Sequence, residues 1–312
     1  MRKFIVSDLH GNGDVYDSIM AYLDHRSQSE KVLLYINGDL IDRGLDGYRM
    51  LMDVKDRMEH PGNLEIHYLG GNRELMMYQA LLERESGKNV DPWCNWMING
   101  GWRVAYQIED QDNSEELFES FKHFLGELKI YHVFEETIKG KPMVLVHAQV
   151  PKRVSKNQNM KISDNHIEVE KAVWTRKHED YSGILGVAAP LTHTRRIGLP
   201  GYFAIVGHTP VLHPQGFSFD AEENSIDIDG NCSMYAQGEF QLNQVPLVEV
   251  KNDSIDLILF NHDNEIPCGY HYDGDLSPMT EELLEEHRSH LNHQYDHQAE
   301  AYQKELLYQL EL

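Results

Sequence analysis

The stretch Lys31–Gly44, KVLLYINGDLIDRG, decides how this chain is read. It begins as an apolar, β-compatible run, Lys31–Ile36, and breaks at once into a polar loop carrying Asn37, Asp39, Asp42 and Arg43. The same figure recurs on both sides of it. Lys3–Val6 is followed by SDLHGN, Leu64–Tyr68 by LGGNRE, Met143–Val146 by HAQV, and Phe203–Val206 by GHTPV. Between the first three strands lie segments of helical spacing, Asp14–Arg26 (Val15, Ile19, Tyr22, Leu23) and Tyr48–Glu59. Strand, loop and helix in alternation predict an α/β body, with polar groups gathered where the strands end and open sheets place ligands.

From Leu75 to about His132 the pattern changes. ELMMYQALLERES and SEELFESFKHFLGELK have helical spacing, and DPWCNWMINGG lies between them, which predicts a helical cap over about residues 75–132. Short runs follow Phe203–Val206: GFSFD, SIDIDGNC, PLVEVKN and SIDLILF suggest a second, mixed sheet. The tail from Pro278 is rich in Glu, Leu, Gln and His. It predicts a long helix capped by Ser277 or Thr280, so the chain divides into a body over 1–275 and an extension over 276–312.

At 312 residues with 41% hydrophobic content, the chain is long enough for one large globular domain with a cap. A formal net charge of −23 argues against nucleic acid or an anionic membrane surface as partner, since both demand cationic contacts. It does not exclude a small anionic substrate, because bound metal reverses the local sign. Three cysteines, Cys94, Cys232 and Cys268, lie far apart with no CxxC pair, which fits a reducing compartment. MRKFIVSD reads as a first strand rather than a secretion signal, and no run is long enough to span a membrane. The expectation is a cytoplasmic protein.

The five strand-end loops supply Asp8 and His10, Asp39 and Asp42, Asn72, His147 and His208. Carboxylate, amide oxygen and imidazole together suit two divalent first-row metals, manganese first, with iron or zinc as alternatives. Two such ions sharing a carboxylate activate water for in-line attack on phosphorus. Arg43, directly after Asp42, can hold phosphate oxygens in a bidentate fork, and Arg176 in VWTRKHED is a second candidate clamp.

The ordered motifs DLHG, GDLIDRG, GNRE, VHA and GHTP resemble those of the calcineurin-like metallophosphoesterases. DRG and WMINGGW bring the chain near the bacterial serine/threonine-phosphatase and diadenosine-tetraphosphatase branch. The resemblance spans about residues 1–260. It implies a four-layer αββα sandwich of mixed sheets and metal-dependent hydrolysis of phosphate esters. Asp8, His10 and Asp39 would hold the first metal. Asp39 would bridge to a second, completed by Asn72, His147 and His208. Arg43 and Arg176 would grip phosphate, and Asp42 would orient the catalytic acid. The implied partner is a phosphorylated protein or a small phosphate ester or nucleotide.

In that family the acid is a histidine between the asparagine and the glutamate, and here Arg73 stands in its place. Arginine holds its proton at neutral pH, so it can stabilise developing charge but cannot protonate a leaving oxygen. The expected arrangement is an Arg73–Asp42 ion pair and reduced or redirected activity. Alternative functions are hydrolysis of diadenosine polyphosphates, or phospholigand binding without turnover.

Blander readings attach to other residues. Arg176 could pair with Glu179 or Asp180, and Asp229 reads as a turn residue. Trp93, Trp96 and Trp102 could line a substrate groove, but packing is the preferred reading, because tryptophan supplies so much buried area. His287, His290, His293 and His297 read as a solvated helix face, with self-association through the tail as an open expectation.

Overall fold

The computed structural model describes residues 1–87, 90–156, 160–164, 167–176, 197–235, 244–261 and 265–291. Two mixed sheets lie face to face. The first is built on β1 (Arg2–Val6), β2 (Val32–Asn37) and β3 (Leu64–Leu69), which run parallel. It continues antiparallel through β9 (Val245–Lys251), β10 (Ser254–Phe260), β11 (Cys268–Tyr272) and β12 (Leu276–Pro278). The second sheet has the order β4 (Tyr131–Ile138), β5 (Lys141–Val146), β6 (Phe203–Val206), β8 (Ser225–Asp227), β7 (Ser218–Asp220). Its strands β5, β6 and β8 are parallel, and hairpin partners flank them.

The period of two along each strand sorts the core into layers. Ile5 and Tyr35 of the first sheet meet Leu145 and Ile205 of the second in the cluster between the sheets. Their neighbours Phe4, Val6, Leu34 and Ile36 point the other way, into the cluster containing Tyr22, Leu23, Met50 and Val54 of α1 (Gly13–Ser27) and α2 (Gly47–Glu59). Val144, Val146, Ala204 and Val206 likewise belong with Val169 and Val173 of α7 (Ile167–Trp174). Helix, sheet, sheet and helix thus form the expected sandwich.

The cap comprises α3 (Asn72–Ser86), α4 (Asp91–Trp96), a wide turn over Met97–Gly101, α5 (Trp102–Glu109) and α6 (Ser114–Gly126). It starts three residues before its predicted position and stops before 132, because Tyr131 already begins β4. That strand carries half-exposed Glu135, Glu136 and Thr137, and its weak apolar pattern hides it in the sequence. The β11–β12 hairpin, equally polar, also goes beyond the sequence reading, and β12 lies past residue 275. No helix among the described residues is long and apolar enough to cross a membrane.

Residues 281–291 are helical, with Leu283 N donating to Thr280 Oγ1 at 3.4 Å. The reading of a solvated histidine face fails at His287, which is fully buried. Its Nδ1 accepts from Tyr22 Oη at 2.7 Å and from Arg26 Nη2 at 3.0 Å. Two donors at Nδ1 leave the ring proton on Nε2. Although Glu249, Asp256 and His287 come within ligand distance, Nε2 therefore offers no lone pair, and Arg2 and Lys251 already neutralise the carboxylates. Leu284 and Leu291 are buried beside it, so this part of the helix is committed to the body. His293 and His297 lie outside the described residues.

Burial, reinforced by the Arg26 charge, pushes His287 down to about 4. Unfolded histidine titrates near 6.5, so the unfolded chain binds more protons between these values and helix docking weakens as pH falls through them. Lowering the pH from 7 to 5 is expected to destabilise the docked helix by ~2 kcal/mol. Amide exchange in 281–291 should accelerate accordingly, and His287→Asn, which keeps an acceptor but does not titrate, should remove part of the pH response, since burial also pushes His290 of the same helix down to about 4.

Candidate metal centre

The candidate residues stand just past the ends of five parallel strands: Asp8 and His10 after β1, Asp39 and Asp42 after β2, Asn72 after β3, His147 after β5 and His208 after β6. Reaching inward from these ends requires unusual backbone. Asp8, His10, Asp39, Asp42, Arg43 and His208 all have positive φ, between 48° and 70°. Each such residue costs about 1–3 kcal/mol, which the surroundings must offset. They do so by knitting the loops together. Asp8 N donates to Gly38 O at 3.2 Å, His10 N to Asp39 O at 2.9 Å, Gly11 N to Leu40 O at 2.8 Å and Gly44 N to His10 O at 2.8 Å. Gly38 must be glycine, with φ 78° and space so tight that a Cβ would lie 2.5 Å from Gly71 Cα.

Glu74 ties the third loop in. This fully buried carboxylate accepts from Asp39 N at 2.8 Å, Leu40 N at 3.1 Å, Gly71 N at 2.8 Å and Tyr68 Oη at 2.5 Å. It sits in the first turn of α3 and satisfies the backbone N–H of the residue before that helix, as a capping glutamate does. It also fixes the backbone of Asp39. Asp39 Oδ1 in turn accepts from Arg73 N at 3.0 Å.

Two donor groups result, Asp8–His10–Asp39 and Asp39–His147–His208, each with ligand atoms within 4.8 Å of one another. Asp39 is common to both. Its Oδ2 lies 3.5 Å from His10 Nε2 and its Oδ1 lies 3.3 Å from His147 Nε2, so the carboxylate faces each group with one oxygen. Asn72 joins the second group, with Oδ1 3.1 Å from His147 Nε2.

The donor set fits divalent cations. His147 donates Nδ1–H to Asn37 O at 2.8 Å, which leaves a lone pair on Nε2. That lone pair, Asn72 Oδ1 and Asp39 Oδ1 converge, an arrangement that repels unless a cation lies among them. Burial pushes His10 down to about 3, against the pull of Asp39. Burial and then Arg176 push His208 well below its ordinary value, so both rings are unprotonated as ligation requires. Burial and the neighbouring Asp39 push Asp8 well above the carboxylate range, as crowding two carboxylates into a dry interior must. For Asp39, burial raises the value, but the guanidinium and the backbone N–H of Arg73 help to hold it low.

The arginines surround this cluster. Arg73 is buried, with Nε 3.6 Å from Asp39 Oδ2 and Nη1 donating to Asn99 O in the cap at 2.8 Å. The expected Arg73–Asp42 ion pair does not form. Both Asp42 oxygens instead accept from the indole of Trp96, at 3.1 and 3.2 Å. Burial pushes Asp42 up to about 7, against Arg73 and this bond. Arg176, just past α7, has a buried Nη1 with no hydrogen-bond partner among the described residues, which suits an anion beside His208. Glu179 and Asp180, its alternative partners, lie outside the described residues. Arg43 lies under the cap, where Gly100 (φ 106°) passes so close that a Cβ would lie 3.0 Å from Arg43 Cδ.

Several contributors escaped the sequence reading. Packing or a groove lining is all the sequence suggests for Trp96, and the indole spacing gives no hint of a carboxylate 54 residues earlier. Ser7, whose hydroxyl bonds Asp8, and Asn37, whose carbonyl orients His147, sit within the recognised loops but outside the expected ligand set. Glu74 stands inside GNRE, and its place three residues into the turn was the available signal. Asp229 is indeed a turn residue, Oδ1 accepting from Asn231 N at 2.9 Å, although it is buried.

Two outcomes follow for stability. Manganese should raise the Tm of the apo-protein by roughly 5 °C at a hundredfold excess over Kd, and chelation should reverse it; an unchanged Tm would mean the donors gather no cation. Trp96→Phe should cost ~2 kcal/mol in urea unfolding by leaving Asp42 buried without its donor, more than removal of an exposed N–H would.

The family model for calcineurin-like phosphoesterase matches residues 1–277. A search of curated proteins finds no match. Solved structures with a similar arrangement include a protein described as a diadenosine tetraphosphatase, at 12% identity and TM-score 0.44 over 90% of this chain and 94% of that one. They also include a cold-active protein-tyrosine phosphatase of a psychrophilic Shewanella, at 13% identity and TM-score 0.44 over 89% and 80%. A third is a serine/threonine phosphatase from Saccharomyces cerevisiae, at 14% identity and TM-score 0.47 over 80% and 72%. The family match covers nearly the whole described body and every donor at the strand ends, and on it this chain belongs to the calcineurin-like phosphoesterases.

Proposed function

We propose that this chain is a dinuclear-metal phosphatase acting on phosphate monoesters, with machinery like that of serine/threonine phosphatases and a substrate range redirected by Arg73. The observation that carries this is the sharing of Asp39 between two buried donor groups. Asp8, His10 and Asp39 would hold one divalent ion, and Asp39, Asn72, His147 and His208 the other, manganese suiting this mixture of oxygen and imidazole better than a thiolate-seeking metal. Bound there, the two ions supply an activated water and neutralise phosphate charge. Arg43 and Arg176 would hold the phosphate oxygens, and the buried Nη1 of Arg176, which has no hydrogen-bond partner among the described residues, supports that role. The described cysteines are all free thiols, which agrees with a cytoplasmic setting.

Arg73 and Asp42 determine what can leave. With Asp42 turned to Trp96 and Arg73 turned to Asp39 and the cap, neither sequence position supplies the acid of the family pattern. The guanidinium offers charge without a transferable proton. Esters whose leaving group departs as a stable anion are favoured over alkyl esters such as phosphoserine. The same observation favours a second reading, cleavage of phosphoanhydrides as in dinucleoside polyphosphates, whose leaving phosphate needs no proton.

Purified protein with manganese should hydrolyse aryl phosphates or nucleotide anhydrides with kcat/KM at least tenfold above that for phosphoserine peptides, and Asp39→Asn should abolish all of it. Arg73→His should raise turnover of alkyl phosphates by about 10²-fold, the lower end of what general acid catalysis supplies. No metal-dependent hydrolysis across the panel, with phospholigand binding intact, would leave a binding protein instead.

A further inference from the structure

The three cap tryptophans do different work. Trp96 is fully buried on Asp42, while Trp102 is 44% exposed on α5. The inner face of α5 is satisfied by Val104, Ala105 and Ile108, all buried, so its outer face is free to present side chains without cost to its anchoring. That face carries Trp102 and Tyr106, ring centroids 5.9 Å apart at 62°. Tyr106 is 54% exposed, and Leu45, whose carbonyl accepts from the side chain of Gln107, is 67% exposed.

This apolar surface is continuous with the phosphate-holding loop. Arg103 Cζ lies 5.1 Å from the Trp102 ring centroid, and its Nη1 donates to Arg43 O at 2.7 Å. Gln107 Nε2 donates to Leu45 O at 2.8 Å, laying α5 along residues 43–45. One turn earlier, Asn99 O takes Arg73 Nη1. The indole is thus pinned by a guanidinium that also grips the loop of Arg43. A pinned, half-exposed indole is a preorganised stacking surface, because ordering it costs nothing further when a ring arrives.

We infer that Trp102, with Tyr106, stacks the aromatic ring of the substrate's leaving group, so that the site selects phosphate compounds bearing a planar ring next to the phosphate. This rests on the phosphatase reading and adds its substrate class. A protein partner fits less well, since a stable interface needs about 800 Å² per side, whereas two rings and a leucine match one aromatic group. The ring has two sources, a nucleobase or a simple aryl group, with the same stacking chemistry.

Calorimetry on the manganese-loaded full chain separates the outcomes without relying on turnover. Adenosine 5′-monophosphate is compared with ribose 5-phosphate, and 2-phenylethyl phosphate with ethyl phosphate; within each pair the alcohol that leaves is primary and only the ring differs. The ring-bearing member of at least one pair should bind about tenfold more tightly. An advantage in the first pair alone identifies a nucleobase, and in the second pair alone or in both, an aryl ring as sufficient. Trp102→Ala should erase the advantage while leaving the ring-free esters unchanged, and Trp102→Phe should keep most of it. Equal affinity within both pairs, an advantage that survives in Trp102→Ala, or failure to bind any of the four would overturn the inference. Binding with the ring advantage but no hydrolysis of any ester would instead overturn the catalytic reading and leave this one standing.

Discussion

One buried carboxylate holds the site together. Glu74 takes the backbone N–H groups of Asp39, Leu40 and Gly71, and so locks the second strand-end loop to the start of the third. Left-handed backbone at Asp39 and its neighbours is unfavourable by itself, and a side chain shared by two donor groups must nevertheless be placed to within fractions of an ångström. Hydrogen bonds to an anion in a dry interior are strong enough to hold that conformation. Tyr68 completes the carboxylate's shell, leaving it no reason to swing away.

Around this frame the candidate donors stay together, while the two positions beside them, Asp42 and Arg73, find other partners. A histidine paired with an aspartate would move a proton. Here the aspartate is bonded to an indole and the neighbouring position carries a permanent cation close to Asp39. The change is coherent rather than a simple loss. Trp96 gives the buried Asp42 a donor, Arg73 adds positive charge beside Asp39, and its other end ties the cap to the floor of the site.

The α/β body and its strand-end residues were legible because they are local: apolar runs ending in polar loops, repeated in order. That Asp8, His10, Asp39, Asn72, His147 and His208 gather at the strand ends could be read for the same reason. What stayed hidden depends on approach in space. The Arg73–Asp42 pairing was a fair expectation from adjacency of motifs, but the cap brings Trp96 to Asp42 and Asn99 to Arg73, and nothing along the chain announces either meeting. His287 looked solvated because its helix is strongly polar. Its burial is decided by Tyr22 and Arg26, 265 and 261 residues away. The strand β4 escaped because half of its side chains face water, and a polar edge strand leaves little periodicity to detect.

Helix α3 belongs to two parts of the molecule. Its first residue is Asn72, beside His147, and its remaining turns are the first rod of the cap. The roof over the site and one of its candidate ligands are therefore parts of a single helix. The cap cannot tilt like a detached lid; any rocking of it is transmitted to the amide oxygen of Asn72. Whatever presses on the roof is mechanically in touch with the chemistry below.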